Sequence, residues 1–152
     1  MADTYSQIYI HVVFAVKGRN NLISTKWKGE LYKYMTGIIS NEGQKLIAIN
    51  GMPNHIHILI GLKPTMALSN LVRDIKANSS KFINEKQWIA GKFEWQSGFG
   101  AFSYSHSQVP VIAKYIEDQE EHHKKKTFKE EYTEFLKLYN IDYRDEFVFD
   151  EV

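Results

Sequence analysis

No cysteine occurs in the 152 residues. That excludes disulfides, thiolate-ligated zinc and thiol nucleophiles, and it is compatible with a reducing compartment. No apolar run approaches the ~20 residues of a membrane-spanning helix, and the start, Met1-Ala2-Asp3-Thr4-Tyr5-Ser6, has neither a basic cap nor an apolar signal core. A soluble, cytoplasmic protein without a membrane partner is the expectation. Charge of one sign is also missing: 19 Lys and Arg against 18 Asp and Glu leave +1, so any nucleic-acid contact must come from a local patch or groove. Proline is scarce, at three residues, and each marks the start or end of an element. No repeat, low-complexity tract or linker divides the chain, which points to one domain over residues 1–152. Walker and Gly-x-Ser-x-Gly patterns are absent, and Gly98-Phe99-Gly100 lacks the third glycine of a dinucleotide fingerprint. No nucleotide cofactor is expected.

What is present begins with Gly51-Met52-Pro53-Asn54-His55-Ile56-His57-Ile58-Leu59-Ile60-Gly61. Gly, Pro and Asn mark a turn, and the apolar run behind them reads as a buried strand. Strand side chains alternate faces, so His55 and His57 point the same way, about 7 Å apart at Cα, while Ile56, Ile58 and Ile60 point into a core. Two imidazoles side by side on a rigid strand are a pre-oriented pair of nitrogen ligands for a metal ion.

Around that strand the chain alternates between periods. Gln7 to Lys17 has a period of two, with Ile8, Ile10, Val12, Phe14 and Val16 on one face and His11 on the other. A helix capped by Ser24 or Thr25 is expected to about Asn41, a short strand over Lys45 to Asn50, and a second helix from about Ala67 to Glu85 with Leu68, Leu71, Val72, Ile75, Ser79, Phe82 and Ile83 inward. The Gly- and aromatic-rich stretch from Trp88 to His106 is expected to form a loop followed by a fourth strand. Pro110 sits in the first turn of a third helix, from about Val109 to Lys126. A last helix from Phe128 to Tyr139 and an acidic tail with Phe147, Val148 and Phe149 close the chain.

Strand, helix, strand, strand, helix, strand makes an α+β, ferredoxin-like or RRM-like antiparallel sheet with two helices on one face. In that topology the first and third strands are central neighbours. His11 then lies beside His55 and His57 on the open face, where the third helix is expected to lie. On that helix Tyr115 and Gln119 are four residues apart, hence on one side, and His122 and His123 continue it. A phenol and an amide oxygen over a histidine pair are a nucleophile and a third ligand. The chemistry they suit is attack of a tyrosine oxygen on a phosphodiester.

These residues resemble the single-tyrosine HUH transposases of the insertion-sequence 200/605 family. The likeness runs through Ile10-His11-Val12-Val13-Phe14, Gly51 to His57, Leu71-Val72-Arg73-Asp74-Ile75-Lys76, Trp95-Gln96-Ser97-Gly98 and Tyr115-Ile116-Glu117-Asp118-Gln119-Glu120-Glu121-His122-His123, in order and at family-like spacing. The resemblance implies that Tyr115 cuts single-stranded DNA and retains a 5′-phosphotyrosine, that His55, His57 and Gln119 bind Mg²⁺ or Mn²⁺, and that ATP is not needed. It also implies hairpin recognition at element ends and a homodimer in which one subunit's tyrosine helix can complete the other's site. Imidazole donors by themselves favour Mn²⁺ or Zn²⁺; the resemblance favours Mg²⁺ or Mn²⁺, and that is the expectation adopted.

His11, His122 and His123 are candidate supporting or phosphate contacts, the last two also suiting the negative end of a helix dipole beside Lys124 to Lys126. Lys17, Arg19, Arg73, Lys76 and Lys81 are candidate phosphate contacts, and Trp95, Phe99 and Tyr104 candidate stacking surfaces. Two other readings stay open on residues alone. A non-catalytic RNA- or single-strand-binding module would use the aromatics of the sheet face. A zinc hydrolase would use His55 and His57 with His11 or His122.

Overall fold

The sheet is organised by the strand that reads most plainly in sequence. In the computed structural model, which describes residues 4–141, β1 (Tyr9–Ala15) pairs antiparallel with β3 (His55–Gly61) on one side and with β4 (Gly100–Tyr104) on the other. The remaining strand, β2 (Lys45–Met52), pairs antiparallel with β3, giving the order β2-β3-β1-β4. This is the expected ferredoxin-like arrangement, with β1 and β3 at its centre. The helices α1 (Lys28–Asn41) and α2 (Leu68–Lys86) cover one face. Val12, Phe14, Val16, Ile56, Ile58 and Ile60 meet Leu31, Met35 and Ile39 of α1 and Leu71, Ile75 and Ile83 of α2 there. Each of these buried apolar side chains contributes about 1.5–3 kcal/mol of transfer free energy. Among the described residues no helix is long and apolar enough to cross a membrane.

The opposite face is also covered. Three helices lie there: α3 (Val109–Glu117), α4 (Gln119–His122) and α5 (Phe128–Leu138). Ile116 of α3 packs on Ala48 and Leu59, while Phe128 and Leu136 of α5 pack on Val13, Ala15 and Phe102. A charged residue breaks the apolar stripe of α5, since Glu131 is buried beside Phe128, Tyr132 and Phe135. Thr127 caps this helix, its Oγ1 accepting the Glu130 N–H at 3.2 Å.

Three of the boundaries that differ from the sequence reading have a plain local reason. First, β2 runs through Gly51 to Met52, so only Pro53 and Asn54 form the turn into β3. Gly51 is paired with Ile56, and a Cβ at this position would lie 2.2 Å from the His55 carbonyl oxygen, so only glycine lets the two backbones approach. Second, α1 starts at Lys28. Ser24 instead supports the lead-in turn, its carbonyl accepting the Trp27 and Lys28 N–H groups and its Oγ accepting that of Lys26. Third, the expected single helix from Val109 to Lys126 is broken at Asp118, where φ and ψ are −92° and 22°. The Asn50 side-chain amide of β2 donates to the Glu117 carbonyl at 2.9 Å, and the Glu121 N–H bonds to Asp118 instead. The acidic tail with Phe147, Val148 and Phe149 lies outside the described residues.

Candidate metal centre and tyrosine site

β3 presents His55 and His57 to the α3–α5 side, both with no exposed surface. The register Val13–His57 and Ala15–His55 places His11, also fully buried, one step along β1 on the same face. From above, α3 brings Tyr115, α4 brings fully buried Gln119, the turn after α4 brings His123, and α5 brings Glu131 at 4% exposure. All converge within the space between sheet and helices.

The Glu131 carboxylate is the centre of the cluster. Its Oε1 lies 2.9 Å from His57 Nε2, 3.1 Å from His123 Nε2 and 3.4 Å from His55 Nε2. Gln119 Oε1 is 3.2 Å from His55 Nε2 and 3.1 Å from His123 Nε2, and its amide nitrogen donates to Glu131 Oε2 at 3.2 Å. The Tyr115 hydroxyl donates to that same Oε2.

Two observations fit this donor set to a cation. Ligand atoms ~2.1 Å from one ion, in tetrahedral or octahedral geometry, stand ~3.0–3.4 Å from their neighbours, which is the spacing found here. One ligand atom from each of His55, His57, His123 and Glu131 falls within 4.8 Å of the others. In addition, each imidazole has its far nitrogen held. His55 Nδ1 donates to Asn54 Oδ1 at 2.7 Å, His123 Nδ1 donates to the Lys126 carbonyl at 2.9 Å, and His57 Nδ1 meets His11 Nε2 at 2.7 Å. Fixing one nitrogen in this way turns the other's lone pair toward the site, a device usual around metal-binding histidines.

The electrostatics follow from burial and from one carboxylate. Burial, with the charge of His57, lowers the His55 imidazole to about 4, and the same two causes hold His11 well below its ordinary value. Neutral imidazoles are the ligand form. Burial opposes the Glu131 charge, but the His57 charge and the close contacts with His123, His55 and His57 outweigh it and hold the carboxyl low. For His123 the bond to Glu131 and its charge overcome burial and raise it. Burial and then the Glu131 charge push the Tyr115 phenol up, so this nucleophile needs positive charge nearby before its oxygen ionises.

The other candidates separate. His11 touches His57 and does not face the donor cluster, and its ring stacks on that of His57 at 5.0 Å. His122 lies flat on Tyr115, ring centroids 4.2 Å apart. Trp95 belongs to the core: 9% exposed, it packs edge-on to Phe14 and Phe93, and its indole N–H donates to Ser79 Oγ at 3.0 Å. Phe99 packs partly buried against the same core, and Tyr104 meets Tyr139 at right angles. The Lys76 ammonium donates to the Gln96 and Gly98 carbonyls at 2.7 and 2.9 Å, pinning the loop, and Lys17 pairs with Glu94 at 3.2 Å. Arg19 ends the short turn after β1 with φ 57°. Arg73 and Lys81 line a groove of about 780 Å³ between α2 and residues 92–99, on the helix side of the sheet and away from the histidines. A smaller cleft of about 440 Å³, walled by Pro53, Asn54, His123 and Lys124 to Lys126, opens beside the cluster.

Sequence reasoning missed Glu131. Its one available signal was a carboxylate within the helical apolar spacing of Phe128, Tyr132 and Phe135, where charge is costly unless partnered.

Residues 4–119 match the model of the family described as Transposase IS200 like. The chain is 26% identical over 120 residues to ISDra2 transposase TnpA of Deinococcus radiodurans, a match covering 74% of this chain and 84% of that one. A crystal structure of a transposase from Deinococcus radiodurans R1 superposes with a TM-score of 0.63 at 21% identity, over 78% of this chain and 95% of that one. A REP-associated tyrosine transposase bound to a REP hairpin superposes with a TM-score of 0.58 at 15% identity, over 78% and 70%. These two likenesses concern the fold.

Proposed function

The chain belongs to the IS200-like transposase family, and on that premise we propose that it is a metal-dependent single-stranded DNA endonuclease and strand transferase in which Tyr115 is the nucleophile. The observation that carries the proposal is the meeting of the Tyr115 hydroxyl and the His55–His57 nitrogens on a single carboxylate. A hydroxyl poised beside a cation-shaped donor set is what transesterification of a phosphodiester needs.

In the proposed step the Tyr115 oxygen attacks phosphorus and gives up its proton to solvent, the bond from phosphorus to the 3′ oxygen breaks, that oxygen takes a proton from water, and the products are a 5′-phosphotyrosine and a free 3′-OH. The Tyr115 proton already points at Glu131 Oε2, its nearest acceptor. His55, His57 and Gln119 would hold Mg²⁺ or Mn²⁺. That ion, when bound, supplies positive charge to the phosphate and the departing oxygen. The stacked His122 ring and the edge of Phe135 restrict rotation of the phenol about the site. Because one phosphodiester is exchanged for another, the reverse attack by a 3′-OH rejoins the strand, and no nucleotide is consumed.

Lys124 to Lys126 edge the cleft beside the cluster and provide positive charge for a single strand approaching the scissile phosphate. One structural relative is bound to a REP hairpin, and hairpins at element ends are the partner proposed here. A homodimer is proposed from the family resemblance; in the single chain Tyr115 lies over its own histidines. The single domain and a cytoplasmic location remain part of this reading.

Two observations weigh against the other readings. The sheet face that an RNA-recognition fold offers to bases is covered by α3 and α5. His11 directs its Nε2 at His57 and His122 lies on the Tyr115 ring, so neither imidazole that the zinc hydrolase reading adds to His55 and His57 joins the donor cluster.

The test is incubation with a labelled single-stranded oligonucleotide carrying an element end plus Mg²⁺ or Mn²⁺. The expected result is a denaturation-resistant protein–DNA adduct that disappears in Tyr115→Phe. Binding of the oligonucleotide without any adduct from the wild-type protein overturns the proposal.

A further inference from the structure

The family match ends at residue 119, yet two of the groups nearest the histidine pair come after it. His123 sits in the turn that follows α4, with 7% of its side chain exposed, and Glu131 in α5. The Glu131 carboxylate occupies an apolar stripe where a leucine would fill the space, and an unpaired charge there would cost several kcal/mol.

Resting on the functional reading only for the role of Tyr115, we propose that Glu131 and His123 complete the metal site, Glu131 using one oxygen as a ligand and the other to hold the Tyr115 hydroxyl. The carboxylate spans both partners. Oε1 faces the Nε2 atoms of His55, His57 and His123, and Oε2 accepts from Tyr115 and Gln119. His123 has its Nδ1 fixed by the Lys126 carbonyl, so its Nε2 enters the set with the same preparation as that of His55.

Two consequences follow from one side chain serving both ends. A divalent ion then draws on three imidazoles, one carboxylate and one amide oxygen, a set that favours Mn²⁺ or Zn²⁺ over Mg²⁺ because imidazole suits later first-row metals. The ion also fixes α5, since Glu131 is anchored from both sides, and it thereby sets the position of the nucleophile on α3. Glu131 is a positioning residue for Tyr115 through this bond.

The experiment is titration of the full chain with MnCl₂, without DNA, followed by calorimetry and by hydrogen exchange of α5. Wild type, Glu131→Gln and His123→Ala are compared. Expected are a loss of Mn²⁺ affinity of tenfold or more in each variant, and slower exchange of the α5 amides on Mn²⁺ addition in wild type that Glu131→Gln does not show. Mn²⁺ affinity within twofold of wild type in both variants overturns the proposal, as does slower exchange of the α5 amides on Mn²⁺ addition in Glu131→Gln equal to that of wild type. Far-ultraviolet circular dichroism checks that each variant folds; should Glu131→Gln not fold, His123→Ala, at the edge of the site, decides alone. The titration contains no DNA, so a wild-type protein that binds Mn²⁺ but forms no adduct fails the functional reading and leaves the ligand assignment standing.

Discussion

Asn50 and Glu117 meet between the edge strand and the tyrosine helix, the Asn50 amide donating to the Glu117 carbonyl at 2.9 Å. That carbonyl would otherwise accept the Glu121 N–H and carry the helix straight past Asp118. With the bond diverted, the Glu121 N–H turns to Asp118, the chain bends, and Gln119 and His123 come over the histidine strand.

Removing the Asn50 amide therefore changes the site more than the stability. Asn50→Ala is expected to cost about 0.5–1.5 kcal/mol in urea unfolding, the net worth of one hydrogen bond. Mn²⁺ affinity, measured by titration, should fall several-fold because Gln119 and His123 lose their fixed approach. Unchanged affinity would detach the bend from the site.

His11 acts on the cation through His57. Its Nε2 lies 2.7 Å from His57 Nδ1, and both rings are fully buried. His11→Phe keeps the ring volume against Phe102 and Phe135 but removes the partner that fixes the His57 tautomer. The expected outcome is a 10–100-fold loss in metal affinity with His55 and His57 both intact, the range usual for removing such a support. Calorimetric titration with Mn²⁺ reads it directly.

Gly51 sits where β2 and β3 come closest. A methyl group there would lie 2.2 Å from the His55 carbonyl oxygen and 3.0 Å from the Ile56 Cα, both backbone atoms that cannot step aside. Gly51→Ala should force the hairpin apart just at the first histidine, destabilising the fold by about 2 kcal/mol or more and weakening metal binding together with it. Thermal unfolding with and without Mn²⁺ distinguishes the two: the melting point drops in both conditions, and the increment given by Mn²⁺ shrinks.

The order of elements, the pairing of β1 with β3, and the shared face of His11, His55 and His57 were legible because each rests on short-range periodicity. The period of two in β1 and β3 assigns faces without knowledge of any partner. Tyr115 and Gln119 were legible as neighbours for the same reason. Glu131 was not, since its partners His57 and Tyr115 lie 74 and 16 residues away, and its position in an apolar stripe reads as an imperfect helix until the cluster beneath it is seen. The break at Asp118 was hidden likewise, because its cause is a side chain 67 residues upstream of Glu117. Trp95 failed in the opposite direction: a tryptophan among glycines suggests a stacking surface, but the loop folds back so that Val16 bridges to it and the ring fills the core.

The roles of Trp95 and of the basic groove can be separated by one pair of measurements. Trp95→Ala empties a site between Phe14 and Phe93 and leaves Ser79 Oγ without its indole donor. A loss of about 3–5 kcal/mol in urea unfolding is expected, as for other buried aromatic truncations. Arg73 and Lys81 instead project from α2 with 68% and 74% of their side chains exposed, and each pairs with a neighbour on its own helix, Asp74 and Glu85. Such pairs contribute little to stability, so Arg73→Ala with Lys81→Ala should leave the unfolding midpoint nearly unchanged. If the groove between α2 and residues 92–99 carries a single strand, that double variant lowers the slope of log affinity against log salt by about 1.4, two phosphate contacts at ~0.7 each. Binding of a labelled oligonucleotide across a salt series measures that slope. A slope identical to wild type assigns the groove no part in DNA contact and leaves the Lys124–Lys126 cleft as the strand's path.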